Sequence, residues 1–145
     1  MQATPAARCR GFSLIELMTV LLIIGLLAAM AWPAYQSHLR RSQRAQAAVA
    51  LLQAQQFMER QFSLQGSYLD SSGARLQLPA SLQTVQVDGQ VVYRLQVEAA
   101  DALSYRLLAS PEGPMQGDAC GALSLNQLGL RDRSGSGPSV EQCWR

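Results

Sequence analysis

The 145-residue chain has no lysine: its 12 basic residues are all arginine, set against 10 carboxylates and one histidine, His38. Charge is sparse at 15%, no run of five basic residues occurs, and the net value of +2 says little about a nucleic-acid partner. One histidine leaves nucleophilic and metal chemistry without a base or a ligand set. There is no Gly-x-Ser-x-Gly, no P-loop and no cluster of metal-ligand spacing, so neither an enzyme, nor a metal site, nor a cofactor is expected. Only six prolines and eleven glycines, with 48% hydrophobic residues and a mean hydropathy of +0.02, exclude a disordered chain and a collagen. Three cysteines are an odd number, so one stands apart if the other two pair.

The apolar residues are concentrated. From Gly11 to Leu39 there is no Arg or Lys and one carboxylate, Glu16, while Arg8 and Arg10 precede the stretch and Arg40, Arg41 and Arg44 follow it. Phe12 to Trp32, about 21 residues rising about 1.5 Å each, spans about 32 Å as a helix and matches a hydrocarbon core of about 30 Å. The remaining chain is too small to wrap a helix apolar on every side, so the segment is read as a membrane span. It is also too long for the core of a conventional cleaved signal peptide. Counting flanking arginines alone orients the span with its C-terminal side in the cytoplasm.

Beyond the span, Ala47, Ala50, Leu51, Ala54, Phe57, Met58 and Phe62 recur at helical spacing, with Arg44, Gln46, Gln53, Gln56, Glu59 and Arg60 assigned to the polar face. Pro33 interrupts the hydrogen-bond ladder and predicts a kink in one long helix running from Phe12 to near Gln65, with Gly66 as its stop. From Ser81 the period becomes two. Val85 and Val87, the turn signal Asp88-Gly89, then Val91, Tyr93, Leu95 and Val97 predict a hairpin. Leu103, Tyr105 and Leu107 predict a further strand, and Leu123 and Leu125 a short one. The tail from Leu130 to Arg145 reads as loop. The expected fold is α+β, with an antiparallel sheet of about four strands covered by the amphipathic half of the helix.

The run Gly11-Phe12-Ser13-Leu14-Ile15-Glu16-Leu17, followed by the apolar helix and Pro33, resembles the class III signal of type IV pilins. Tyr105 to Pro111, Asp118 to Gly129 and the ending Gln142-Cys143-Trp144-Arg145 look like the PilE-type minor pilins. The resemblance implies that residues 1–11 are a leader cut after Gly11 by a prepilin peptidase, which also methylates the new N-terminal Phe12. Residues 12–39 then form the transmembrane and assembly half of the helix, 40–65 its amphipathic half, and 66–145 the loop, sheet and tail of an exported domain. It places that domain outside the inner membrane, against the arginine count, first in the periplasm and then in an extracellular pilus.

A carboxylate inside a bilayer costs free energy unless it has a partner or a task. Within its own helix Glu16 has no cation; the implied cleavage creates an amine at Phe12, and pairing between neighbouring subunits would fix their axial register. Cys9 leaves with the leader, and the resemblance implies that Cys120 and Cys143 pair as a disulfide closing the tail. Closing a loop of about 24 residues contributes roughly 3 kcal/mol by the chain-entropy relation.

The implied function is that of a minor structural subunit, assembled from the lipid bilayer by inner-membrane machinery together with other major and minor pilins, and serving pilus initiation, adhesion and twitching motility. A type II secretion pseudopilin is the alternative within the same machinery; the scattered Asp118, Asp132 and Glu141 do not have the spacing of its calcium loop. A DNA- or receptor-binding domain is the other alternative. Arg131, Arg133 and Arg145 gather in the tail, and Trp144 could stack on a base. After residue 44, however, seven arginines face nine carboxylates, leaving −2, so a nucleic-acid partner is not expected and Trp144 is expected to pack on the sheet.

Overall fold

The computed structural model describes residues 12–145 and divides into two compact units, one ending at Ser37 and the other running from His38 to Arg145. Helix α1, Leu14–Gln65, belongs to both and contains Pro33. In the first unit every residue from Phe12 to Tyr35 is exposed, including Phe12 at 78% and Met30 at 80%. The segment is long and apolar enough to cross a membrane.

In the second unit Ala47, Leu51, Ala54 and Met58 are completely buried, one stripe at three- and four-residue spacing. They share a core with Tyr93, Leu107, Leu123 and Leu125 from the sheet. The sheet is a five-stranded antiparallel meander: β1 Thr84–Val87, β2 Gln90–Ala100, β3 Tyr105–Pro111, β4 Leu123–Asn126 and β5 Arg131–Arg133, in that spatial order. Asp88 and Gly89 both take positive φ, 50° and 76°, giving the two-residue turn whose twist suits a hairpin. The loop after α1 is tied down when Asp70 accepts from Ser72 N and Ala74 N.

The sheet agrees with the expected antiparallel arrangement of about four strands and adds a fifth, β5, whose Arg-Asp-Arg sequence offers no apolar alternation to read. Its pairing is imposed by the Asn126 turn: Oδ1 accepts from Leu128 N and Leu130 N, and Leu123 is then set opposite Arg133. Leu103 lies outside β3 and is 71% exposed, since Asp101 Oδ1 accepts from Leu103 N and Ser104 N and holds that stretch as a turn.

The tail is more ordered than a loop. Gly135 N donates to Cys120 O and Gly137 N to Ala119 O, and a Cβ on either glycine would collide with that backbone. A short helix, α2 Val140–Cys143, follows, capped when Ser139 Oγ accepts from Gln142 N. Cys120 and Cys143 form a disulfide across a sequence separation of 23.

The polar face assigned to α1 is also corrected at two positions. Arg44 is only 9% exposed: its Nη1 donates to Cys120 Sγ and its Nε lies 3.6 Å from Asp118, itself 7% exposed. The spacing 44, 47, 51 puts Arg44 on the buried stripe, a signal the residue type concealed. Glu59 accepts from the hydroxyls of both Tyr68 and Tyr105, at 3.1 and 2.9 Å. The Phe62 and Tyr68 rings stack at 4.5 Å, with Tyr105 edge-on to Tyr68 at 4.7 Å. Burial first, and the bonded Glu59 carboxylate next, raise the ionisation of Tyr68 and Tyr105 above the ordinary phenol range. Tyr93, fully buried and with no hydrogen-bond partner for its hydroxyl among the described residues, is raised by burial and then by the charge of Asp118.

Arg44→Met leaves Asp118 buried without its countercharge and is expected to cost about 3–5 kcal/mol in urea denaturation of the full chain in detergent, much of it recovered in Arg44→Met/Asp118→Leu. A loss below about 1 kcal/mol would class the pair with solvent-exposed ones. A second expectation concerns alkaline pH. Free tyrosine ionises near pH ~10, so the unfolded chain sheds these protons first; stability from Tyr68 and Tyr105 is fully present below about pH 10 and lost as pH rises toward their raised native values. Tyr68→Phe/Tyr105→Phe should flatten the fall in the urea midpoint above about pH 10, and an unchanged slope would remove these two tyrosines as its cause.

Candidate functional site

The first functional element is the exposed helical segment up to Ser37. Leu14, Ile15, Leu17, Met18, Leu21, Leu22, Ile24, Leu26 and Leu27 are each more than half exposed, an apolar surface that covers all sides of the helix. Such a surface demands lipid or other helices. Gly25, Ala28, Ala29 and Ala31 allow close helix approach. Glu16 is exposed in the first turn of α1 and takes part in none of the ion pairs found among the described residues. Phe12, Glu16 and Pro33 therefore belong to one segment. The leader residues, including Arg8, Cys9, Arg10 and Gly11, lie outside the described residues.

The second element is the disulfide-closed edge of the unit from His38 to Arg145. Its polypeptide is held together by the Cys120–Cys143 bond and by Trp144, which is buried, with Nε1 donating to Asp132 O and the Arg131 guanidinium 5.1 Å above its ring. Trp144 therefore packs against β5 and is not offered to a base. Beside it Arg41 and Arg44 from α1 and Arg145 from the tail line a cavity of about 390 Å³ with Pro138 and Gln142, and neither Asp nor Glu is among these lining residues. A separate recess of about 370 Å³ brings Arg106 and Arg131 together with Ser124, Asn126, Leu130 and Asp132.

The formal charge of the domain is thus distributed unevenly. Arg94 is engaged by Glu112 at 2.6 Å and Arg106 approaches Glu98 at 3.7 Å, whereas Arg41 and Arg145 take part in none of the ion pairs found. Asp70 and Asp101 are occupied by their own turns; hydrogen bonds from the Ser72 and Ser104 hydroxyls, first, lower their ionisation below the usual carboxylate range. Among the described residues no group of three or more His, Cys, Asp or Glu is placed to hold a metal ion.

Residues 33–124 match the family described as type IV minor pilin ComP, DNA uptake sequence receptor, and residues 6–32 match the prokaryotic N-terminal methylation motif. Fimbrial protein EcpC of Eikenella corrodens is 60% identical over 38 residues, 26% of this chain and 25% of EcpC. The type IV major pilin PilE1 of Neisseria gonorrhoeae is 38% identical over 90 residues, 57% of this chain and 42% of PilE1. The matched stretches therefore span less than half of these relatives. The solved structure of the Neisseria meningitidis non-core minor pilin PilV shares the fold, with a TM-score of 0.56 over 72% of this chain and 95% of that one at 22% identity. With its exposed apolar helix, covering antiparallel sheet, closing disulfide and a family match over more than half its length, the chain belongs to the type IV pilin family, in the branch that the ComP minor-pilin family defines.

Proposed function

We propose that the chain is a minor subunit of a type IV pilus. In this reading a prepilin peptidase cuts after Gly11 and methylates Phe12, and the mature chain crosses the inner membrane once with its domain in the periplasm. Pilus assembly machinery then draws the apolar helix out of lipid into contact with other pilins. The observation that supports this most directly is the wholly exposed apolar surface from Phe12 to Trp32. Extraction exchanges lipid for neighbouring helices and leaves little apolar surface to water. Glu16 sets the register by meeting the Phe12 amine of a neighbouring subunit, and the subunit contributes to pilus initiation, adhesion and twitching motility through the filament it joins.

A second reading concerns the exported domain and is favoured by the family match itself, whose description is that of a DNA uptake sequence receptor. The domain would bind DNA as it is taken up, through arginines at its tail. This departs from the expectation drawn from net charge. A domain at −2 can still carry a local positive field where carboxylates are tied up elsewhere, and phosphate contacts need local charge. Arg41 and Arg145 beside the disulfide, and Arg131 held rigid over Trp144, supply it.

Mass spectrometry of membrane-extracted protein should show loss of residues 1–11, a methyl on Phe12 and two hydrogens fewer at Cys120 and Cys143; an uncut N-terminus would leave an ordinary single-span protein. Glu16→Ala should enter filaments far less than wild type while remaining in the membrane, and equal incorporation removes the register role. In gel-shift titrations the oxidised chain should bind duplex DNA with an affinity that falls steeply with salt. Absence of any shift at low salt sinks the DNA reading and leaves the pilin reading standing.

A further inference from the structure

The disulfide Cys120–Cys143 lies inside the unit from His38 to Arg145, and its two sulfurs have opposite surroundings. Cys120 Sγ accepts from Arg44 Nη1 at 2.7 Å, and Arg44 is itself nine-tenths buried. Cys143 Sγ lies 3.5 Å from the main-chain oxygen of Pro138. One sulfur therefore faces a cationic donor and the other a carbonyl acceptor. Negative charge on Cys120 is stabilised by the guanidinium, whereas the Pro138 carbonyl repels negative charge on Cys143 and suits a proton-bearing S–H instead.

Asp118 shares Arg44 without displacing the sulfur. Its Oδ2 stands 3.6 Å from Nε, so carboxylate and sulfur meet different nitrogens of one guanidinium. The two cysteines also differ in how their backbone is held. Cys120 N donates to Asp118 Oδ2 and Cys120 O accepts from Gly135 N, which fixes that residue in the fold. Cys143 rides on α2, a single turn of four residues with an exposed cap, Ser139. Both cysteines are fully buried, so an outside thiol or disulfide reaches the bond only when a covering element lifts. A helix of one turn lifts at a smaller cost than the strand-linked segment around Cys120.

We propose that Arg44 polarises this bond: Cys120 is the nucleophile when it closes and the leaving group when it opens, and Cys143 is the sulfur through which outside thiols and disulfides exchange. In closure, Cys143 first takes up half of a disulfide oxidant as a mixed disulfide and releases the other half as a thiol. The Cys120 thiolate then attacks Cys143 Sγ. The Cys120–Cys143 bond forms, and the bond to the oxidant breaks with its electron pair on the departing sulfur. Two cysteines lose two electrons and two protons, and the oxidant's disulfide takes up both as two thiols. Opening by an outside thiolate runs the same steps backwards, with Cys120 expelled toward Arg44. Arg44 belongs to α1 and Cys120 to the segment before β4, so their contact exists only where the helix is packed on the sheet, and closure follows docking of the helix. The inference uses contacts within this one unit and rests on neither the pilus nor the DNA reading.

The test uses the full oxidised chain in detergent, carrying Cys9→Ser so that no third thiol competes. Reduced glutathione is added, exchange is stopped with acid, and the adduct is located by peptide mass spectrometry. This parent should carry glutathione on Cys143 roughly tenfold more often than on Cys120, because the better-stabilised thiolate leaves faster. In denaturing urea, where Arg44 no longer meets the sulfur, the two positions should be labelled evenly. Arg44→Met/Asp118→Leu, which replaces the buried pair together, should bring the native ratio near one. Arg44→Lys keeps a cation for Asp118 but ends short of the Nη1 position, so it should fold, as its unfolding midpoint would verify, and give an intermediate ratio. An even or reversed ratio in the parent, a preference that survives in urea, or one undiminished in either Arg44 variant overturns the proposal.

Discussion

One helix has to satisfy two solvents, and that constraint organises the rest of the chain. Up to Ser37 no side chain of α1 is buried, so that segment presents its apolar residues without a core of its own. All hydrophobic contact between α1 and the sheet must come from its later turns, where Ala47, Leu51, Ala54 and Met58 supply small and large side chains alternately. The alanines permit close approach of helix backbone to sheet, and the larger residues fill the space on either side. A domain gripping its helix by so short a stripe needs further attachment. Arg44 to Cys120 and Asp118 at one end, and Glu59 to Tyr68 and Tyr105 at the other, bracket the stripe with polar contacts.

These brackets differ in what they cost. Glu59 accepts hydrogen bonds from two hydroxyls at the margin of the core, so its charge is solvated by the protein without a buried countercharge. Arg44 and Asp118 are both nearly excluded from water, and a pair of that kind rarely outweighs an apolar replacement in stability. What it provides is position: the guanidinium ties the helix to the sulfur of the bond that closes the tail. Helix, sheet edge and C-terminus thereby meet at one place, which is where the three cavity-lining arginines converge.

The parts of this arrangement visible in the sequence are those governed by periodicity or by a local motif. The membrane-like segment, the apolar stripe, the Asp88-Gly89 hairpin and the sheet's alternating faces at Tyr93, Leu95, Tyr105 and Leu107 needed only neighbouring residues. Arg44 was misplaced because its residue type suggests solvent while its spacing belongs to the stripe, and its partners lie more than seventy residues away. β5 escaped because a three-residue edge strand of charged residues is fixed by the turn before it. The cavity was illegible for the same reason: nothing local in Arg41 or in Arg145 announces the other.

Averages obscured the chemistry of this edge more than any single residue did. The domain is slightly acidic when summed, but a sum weights a carboxylate locked in a turn equally with one free to compensate a neighbour. Asp70 and Asp101 are committed to backbone amides and serine hydroxyls, Glu112 to Arg94, and Glu59 to two tyrosines. Fields at contact range depend on which charges remain uncommitted, because water and salt suppress the rest within about 10 Å. By that measure the arginines around the disulfide form a locally positive edge on a slightly acidic domain. An anionic group approaching that edge would meet local charge that the composition conceals.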